Sequence, residues 1–128
     1  MLDYDPYAEA DDIAETPRER ERRAFHLINS ELAEAKREAE AAAAAAGEGA
    51  TAARLDAHRK VASAIERTRA LWNILLTDIM SPQNGLPQDT RRQIAEIGIF
   101  TWSIGNEILG GSYSRIDEII DVHERLAA

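Results

Sequence analysis

The sequence predicts an all-α protein, a small bundle of three or four helices built around a long antiparallel αα-hairpin. Apolar residues recur three and four positions apart through most of the 128 residues, which is the spacing of one helix face. Alanine is abundant and aromatic residues make up only 5% of the chain, a composition that suits helix packing better than β-sheets. Prolines and glycines stand in short clusters between the periodic segments, where we expect the helices to end.

The first helix is predicted over residues 17–46. Thr16-Pro17-Arg18-Glu19 has the pattern of a helix start, with threonine as the N-cap, proline at the first helical position and Glu19 closing a capping box. Glu19 also precedes Arg23 by four residues, so we expect an ion pair between them on the solvated face. One apolar stripe follows along the helix, formed by Phe25, Ile28, Leu32, Ala35, Ala39 and Ala42.

The second helix is predicted over residues 51–80, between Gly47-Glu48-Gly49 and Ser81-Pro82. Both helices are then about 30 residues, or roughly 45 Å, long, and a glycine turn between helices of equal length predicts an antiparallel hairpin. His58 lies on the apolar row of this helix, where we expect a partly buried, hydrogen-bonded histidine rather than a metal ligand. The alanine-rich tip, residues 39–53, is expected to be helical but weakly held, because each buried methyl group stabilises little.

Two further helices are predicted over residues 88–109 and 114–127. In the third helix, Gly98 and Gly105 lie seven residues apart and therefore on one face. Glycine costs roughly 1 kcal/mol of helix stability at each such position, so we expect this face to allow close approach by another helix. Ser114, three residues before an aspartate, is expected to cap the last helix.

Residues 16–128 are expected to form a single helical domain, preceded by an acidic N-terminal segment, residues 1–15. This segment has neither the basic region nor the apolar region of a signal peptide. No apolar run in the chain approaches the roughly 20 residues of a membrane span, so we expect a cytoplasmic protein with no membrane partner. Tyr4 and Tyr7 belong either to an unstructured tail or to a strip that docks into a groove.

The formal net charge of −8 argues against a nucleic-acid partner, because binding to phosphates depends on Lys and Arg. The one basic cluster lies within residues 18–23 and is interleaved with Glu19 and Glu21. We interpret it as a mixed-charge solvated helix face.

No motif indicates catalysis, a metal or a cofactor. The chain has no cysteine, and His26, His58 and His123 form no H-x-x-x-H pair. None of them follows a glutamate by three residues, which excludes the Glu-x-x-His pairs of di-iron bundles. There is also no glycine-rich phosphate loop and no G-x-S-x-G elbow. We therefore expect a binding protein, not an enzyme, with no cofactor and no metal site.

The turn between the second and third helices is the segment most suited to binding. Pro82 and Pro87 restrict its backbone on either side of Asn84-Gly85-Leu86. Trp72 and Trp102 lie on apolar helix faces near it. Core packing is their expected role, although tryptophan is also common at binding hot spots.

Several short motifs follow one another along the chain. They are an early tyrosine region, Glu15-Thr16-Pro17-Arg18-Glu19, Leu71-Trp72 with Leu75, Leu76 and Asp78, Ser81-Pro82-Gln83-Asn84, Leu86-Pro87, and Arg91, Ile94, Ile97, Gly98 and Ile99. In these motifs the chain resembles the FlaF family of flagellar regulators of flagellated bacteria. The likeness spans nearly the whole chain, and residues 71–100 are its most specific part.

The resemblance implies a role in flagellum assembly. FlaF proteins associate with flagellin, promote its production and export, and oppose the regulator FlbT, which restrains flagellin translation. A small acidic bundle could hold a terminal helix of flagellin in an apolar groove, acting as a chaperone-like binding protein. We hypothesise that this groove lies beside the 81–87 turn and the glycine face of the third helix. Its residues would be Trp72, Pro82, Asn84, Leu86, Pro87, Gly98, Trp102 and Gly105.

Two other functions stay open at this point. An RNA-linked post-transcriptional regulator of flagellin translation would need a basic surface, which the composition makes scarce. A structural homodimer would instead pair the apolar stripes of two copies.

Overall fold

The computed structural model describes residues 15–128 and folds them into four α-helices without any strand. The prediction of a small all-α bundle is confirmed, while Tyr4 and Tyr7 lie outside the described residues. The helices are α1 (Pro17–Ala44), α2 (Ala50–Ile79), α3 (Gln88–Leu109) and α4 (Ile116–Ala127).

α1 and α2 form the long antiparallel hairpin, and each carries one further helix. α4 packs along α1 and α3 packs along α2, while α3 and α4 touch each other only briefly. The antiparallel register of the hairpin follows from three cross-helix pairs, namely Glu38 with Lys60, Glu31 with Arg67, and Phe25 with Trp72.

The predicted capping box at the start of α1 is confirmed. The hydroxyl oxygen of Thr16 accepts a hydrogen bond from the backbone N–H of Glu19 at 3.1 Å, and the Glu19 carboxylate accepts one from the Thr16 N–H at 3.3 Å. The expected ion pair of Glu19 with Arg23 is wrong, because the capping box uses this carboxylate. Arg23 instead binds Glu15 at 2.8 Å.

The predicted cap of the last helix is also wrong. Residues Tyr113–Arg115 form a short 3₁₀ turn, and α4 begins at Ile116 without a side-chain cap. The N–H of Ile116 donates to the carbonyl of Tyr113, so the turn itself satisfies a backbone group that Ser114 was expected to cap. Tyr113 is held in place by His58, whose Nδ1 lies 2.6 Å from the tyrosine hydroxyl. The expectation of a partly buried, hydrogen-bonded His58 is therefore confirmed.

The main core lies where all four helices meet. Its fully buried side chains are mostly aliphatic, and they are Leu32, Val61, Ile65, Ile104, Ile108, Ile116 and Ile119. Toward the hairpin tip the contacts shrink to alanines such as Ala39 and Ala57. The expectation that this tip is weakly held stays a prediction. A second, aromatic cluster of Phe25 and Trp72 fills the opposite end of the bundle, next to the α2–α3 turn.

Candidate binding groove

An apolar groove of about 510 Å³ opens at the aromatic end of the bundle. The ends of α1 and α4 and the first half of α3 line it together with the last turns of α2. Its apolar lining consists of Phe25, Trp72, Leu75, Ile79, Leu86, Ile94, Ile97 and Leu126. Polar and charged side chains complete the lining, and they are Arg18, Glu21, Asp78, Thr90, Gln93 and Arg125. This combination of apolar and charged residues suits an amphipathic segment.

The groove floor is fixed by a buried chain of hydrogen bonds. The indole Nε1–H of Trp72 donates to Nε2 of His123 at 3.0 Å. Because the indole N–H can only donate, the proton of the neutral imidazole must lie on Nδ1, which donates to Oδ1 of Asn29 at 2.9 Å. The amide of Asn29 in turn donates to the carbonyl of Ile120 at 3.3 Å. These bonds set the orientation of the Trp72 ring, which is 1% exposed.

His123 is held in its neutral form. Burial lowers the pKa of its imidazole from 6.5 to about 4, since removal from water penalises the charged form. A proton on Nε2 would also face the indole N–H of Trp72 and break that hydrogen bond. Phe25 packs on the same imidazole with a ring-centroid distance of 5.0 Å, so α1, α2 and α4 are locked together beneath the groove.

The wall formed by α1 and α4 is held together by Arg18. Its Nη2 donates to the carbonyl oxygens of Leu126 and Ala128 at 2.8 and 3.0 Å. Cations stabilise the carbonyl end of a helix, so this contact attaches the last turn of α4 to the first turn of α1. Arg18 also pairs with Glu21 at 3.1 Å.

Asn84 fastens the α2–α3 turn at the mouth of the groove. Its Oδ1 accepts a hydrogen bond from the N–H of Leu86 at 3.0 Å, and its Nδ2 donates to Asp78 at 3.2 Å. Leu86 is thereby placed in the groove lining with 42% of its surface exposed. Pro87 stands at the N-cap position of α3. Pro82, Asn84 and Pro87 shape the turn, and Leu86 is the member of it that lines the groove.

The glycine face of α3 is covered by α2 of the same chain. A Cβ atom at Gly98 would lie 2.8 Å from Cε3 of Trp72, and one at Gly105 would lie 2.9 Å from Nη2 of Arg69. The close approach that the glycines were expected to allow is therefore made within the molecule. Both glycines are buried, and neither lines the groove.

Trp102 lies outside the groove and is 41% exposed. The guanidinium of Arg69 stands 5.0 Å from the centroid of its ring. The same guanidinium donates to the carbonyl of Trp102 at 2.9 Å and to Oδ1 of Asn106 at 2.6 Å. Of the eight site residues predicted from the sequence, Trp72 and Leu86 line the groove, the turn residues support it, and Gly98, Gly105 and Trp102 belong to other surfaces of α3.

Sequence reasoning did not assign Phe25, Leu126 or His123 to the site. Phe25 was seen as part of an apolar stripe, but no local signal says that it shares a groove with residues about one hundred positions away. Ile94 and Ile97 carried the nearest usable signal, because these apolar residues follow the turn three positions apart on α3.

The fold and the groove define the protein as a small all-α bundle with an apolar groove at one end. A family model described as flagellar protein FlaF matches residues 38–128, most of the chain. The chain therefore belongs to the FlaF family of flagellar proteins. The match covers α2, α3 and α4, and it begins after the groove residues of α1. No curated protein and no solved structure matches the chain. Within residues 15–128, no helix combines the length and apolar character needed to cross a membrane.

Proposed function

We propose that this FlaF protein is a binding protein, not an enzyme, that holds an amphipathic terminal helix of flagellin in its end groove. By covering that helix it would prevent premature association of flagellin and so promote flagellin synthesis and export. The observation that carries the proposal is the open groove itself, whose lining is mostly apolar although it faces solvent. Concave, mostly apolar sites with a few polar groups are where proteins commonly bind ligands.

The chemistry of the groove supports a helical occupant. An amphipathic helix presents apolar side chains at positions i, i+3, i+4 and i+7, which can contact Leu75, Ile94 and Ile97 in one row. Its polar edge would meet the charged groups of the lining. Arg18 and Arg125 suit acidic side chains of the occupant, and Glu21 and Asp78 suit basic ones. Because hydrogen bonds already fix the Trp72 ring, binding costs little further ordering of the floor.

The proposal is tested by titration calorimetry of purified flagellin with matched leucine variants. Leu86→Gln places an amide in the groove lining, whereas Leu55→Gln makes the same change at a leucine that is 57% exposed and lies on the first turns of α2. Both leucines are solvent-exposed, so both variants should fold normally. We expect Leu86→Gln to weaken flagellin binding roughly tenfold, and Leu55→Gln to leave it unchanged.

Trp102→Ala provides a second control, because Trp102 does not line the groove and its loss should leave the affinity unchanged. If Leu86→Gln binds flagellin as tightly as the unaltered protein, the groove is not the binding site. If the unaltered protein shows no heat of binding in this titration, flagellin is not its direct partner.

A further inference from the structure

The outward face of α3 carries a second surface, which we call the α3 stripe. Its members alternate at spacings of four and three, which is the spacing but not the apolar composition of a coiled-coil seam, and they are Gln88, Arg92, Ala95, Ile99, Trp102 and Asn106. Ile99 is 66% exposed and Trp102 is 41% exposed. The stripe points away from the groove, because Ile97, which lines the groove, precedes Ile99 by two residues and so stands on the opposite side of the helix.

The α3 stripe is complementary to itself when a second helix runs antiparallel to it. A two-fold axis at the level of residue 97 places Ala95 of one copy opposite Ile99 of the other, a small side chain against a large one. The same rotation places Arg92 opposite Trp102, a cation against an aromatic ring. At the two ends it sets Gln88 opposite Asn106, two amides that can hydrogen-bond. One two-fold axis therefore pairs each of the six stripe residues with a complementary residue of the second copy.

We propose that the α3 stripe is a homodimer interface, in which a second copy of this chain packs its own α3 antiparallel across the same residues. The apolar centre of the interface is formed by Ala95 and Ile99, flanked by an Arg92–Trp102 pair on each side. Arg69 already holds Trp102 from within its own chain, so the ring is positioned before association. The interface involves one short helix from each copy, and we therefore expect a weak, concentration-dependent dimer.

Two like-charge contacts oppose this dimer. In the first, Arg92 of the second copy approaches the Trp102 ring, which the Arg69 guanidinium already faces at 5.0 Å, so the two cations repel each other. In the second, Glu96 flanks the α3 stripe next to the two-fold axis, so the two copies of its carboxylate lie close together and repel each other. Glu96→Gln should consequently tighten the dimer, and added salt should also tighten it by screening the repulsion. An association that did not involve this axis would show no such gain on neutralising Glu96.

Sedimentation equilibrium over a wide concentration range tests the proposal. Ile99→Asp buries a charge at the centre of the stripe, and Ile74→Asp is its matched control, because both isoleucines are 66% exposed and lie within long helices. We expect Ile99→Asp to raise the dimer dissociation constant at least roughly tenfold, and Ile74→Asp to leave it unchanged. A protein that stays monomeric throughout, or an equal effect of both variants, would overturn the proposal.

Introduced cysteines test the register, since the chain has none of its own. Ala95→Cys chains mixed with Ile99→Cys chains should form the mixed disulfide faster than either variant forms a disulfide with itself. A parallel dimer would reverse this order and contradict the proposed axis. Flagellin binding by Ile99→Asp should equal that of the unaltered protein, which separates a failure of the dimer from a failure of the groove.

Discussion

At the scale of single residues, the most constrained group is the imidazole of His123. It is fully buried, accepts the indole N–H of Trp72 and donates to Asn29. Each of these bonds requires one tautomer of the neutral ring, and no water is needed to complete them. A histidine in this position acts as a positioning residue for the groove floor, and its loss would free the Trp72 ring.

The free energy of unfolding should depend on His123 in mild acid. The pKa of the folded imidazole is about 4, whereas its ordinary value is 6.5, so the unfolded chain binds a proton more readily across this interval. Stability is therefore fully present above pH 6.5 and falls as the pH drops toward 4, by about 3 kcal/mol from this group. Urea unfolding at several pH values measures the loss.

The matched variant for this prediction is His123→Gln, which keeps an acceptor for the Trp72 indole but does not titrate. Its free energy of unfolding should fall less steeply over the same pH interval, although it starts from a lower value at neutral pH. Equal slopes for the two proteins, or an imidazole that titrates near 6.5 by NMR, would show that His123 is not held neutral by the fold.

At the scale of helices, features set by neighbouring residues were predicted correctly, and features set by distant residues were not. The start of α1 was predicted correctly, because Thr16 and Glu19 satisfy each other within four residues. The start of α4 was not, because Tyr113 is drawn to His58 on α2 and the intervening turn makes its own hydrogen bonds. The spacing of Gly98 and Gly105 indicated a close helix contact but could not say that α2 makes it.

Alanine substitutions at the two glycines between α2 and α3 should differ in their effect on stability. A methyl group at Gly98 would meet Trp72 at 2.8 Å and Leu76 at 3.0 Å, and the Trp72 ring cannot move aside without losing His123. At Gly105 the two nearest atoms belong to the end of the Arg69 side chain and the third is a methyl group of Ile65 at 3.3 Å, and the end of a long side chain shifts more easily than an indole ring. Gly98→Ala should therefore destabilise the protein by about 1–3 kcal/mol despite the better helix propensity of alanine.

Gly105→Ala serves as the comparison and should lie much closer to neutral, since the propensity gain offsets a small displacement of Arg69. Thermal unfolding of both variants under the same conditions measures the difference. A Gly98→Ala protein as stable as the unaltered one would mean that α3 does not pack on Trp72 as described.

At the scale of the whole molecule, the helices and their order follow from periodicity, but the groove does not. Apolar stripes identified Phe25, Trp72 and Ile94 as buried faces of separate helices. Their convergence depends on α4 lying along α1 and on α3 diverging from both, which no single helix encodes. For the same reason the sequence placed Trp102 in the groove, whereas the helix rotation turns it onto a different face of α3.

The groove and the α3 stripe divide the surface of α3 between two roles. Ile94 and Ile97 face the groove, while Ile99 and Trp102 face away from it. The two surfaces can be occupied at once, so dimerisation would present two grooves on one assembly. Three of the four arginines at the start of α1 are paired, Arg18 with Glu21, and Arg20 and Arg23 with Glu15.

The most direct test of the groove is a flagellin titration followed by NMR of isoleucine methyl groups. The account predicts that the signals of Ile94 and Ile97 shift as flagellin is added, while those of Ile74 on the far side of α2 stay in place. It is contradicted if flagellin binds and the methyl groups of Ile94 and Ile97 do not respond.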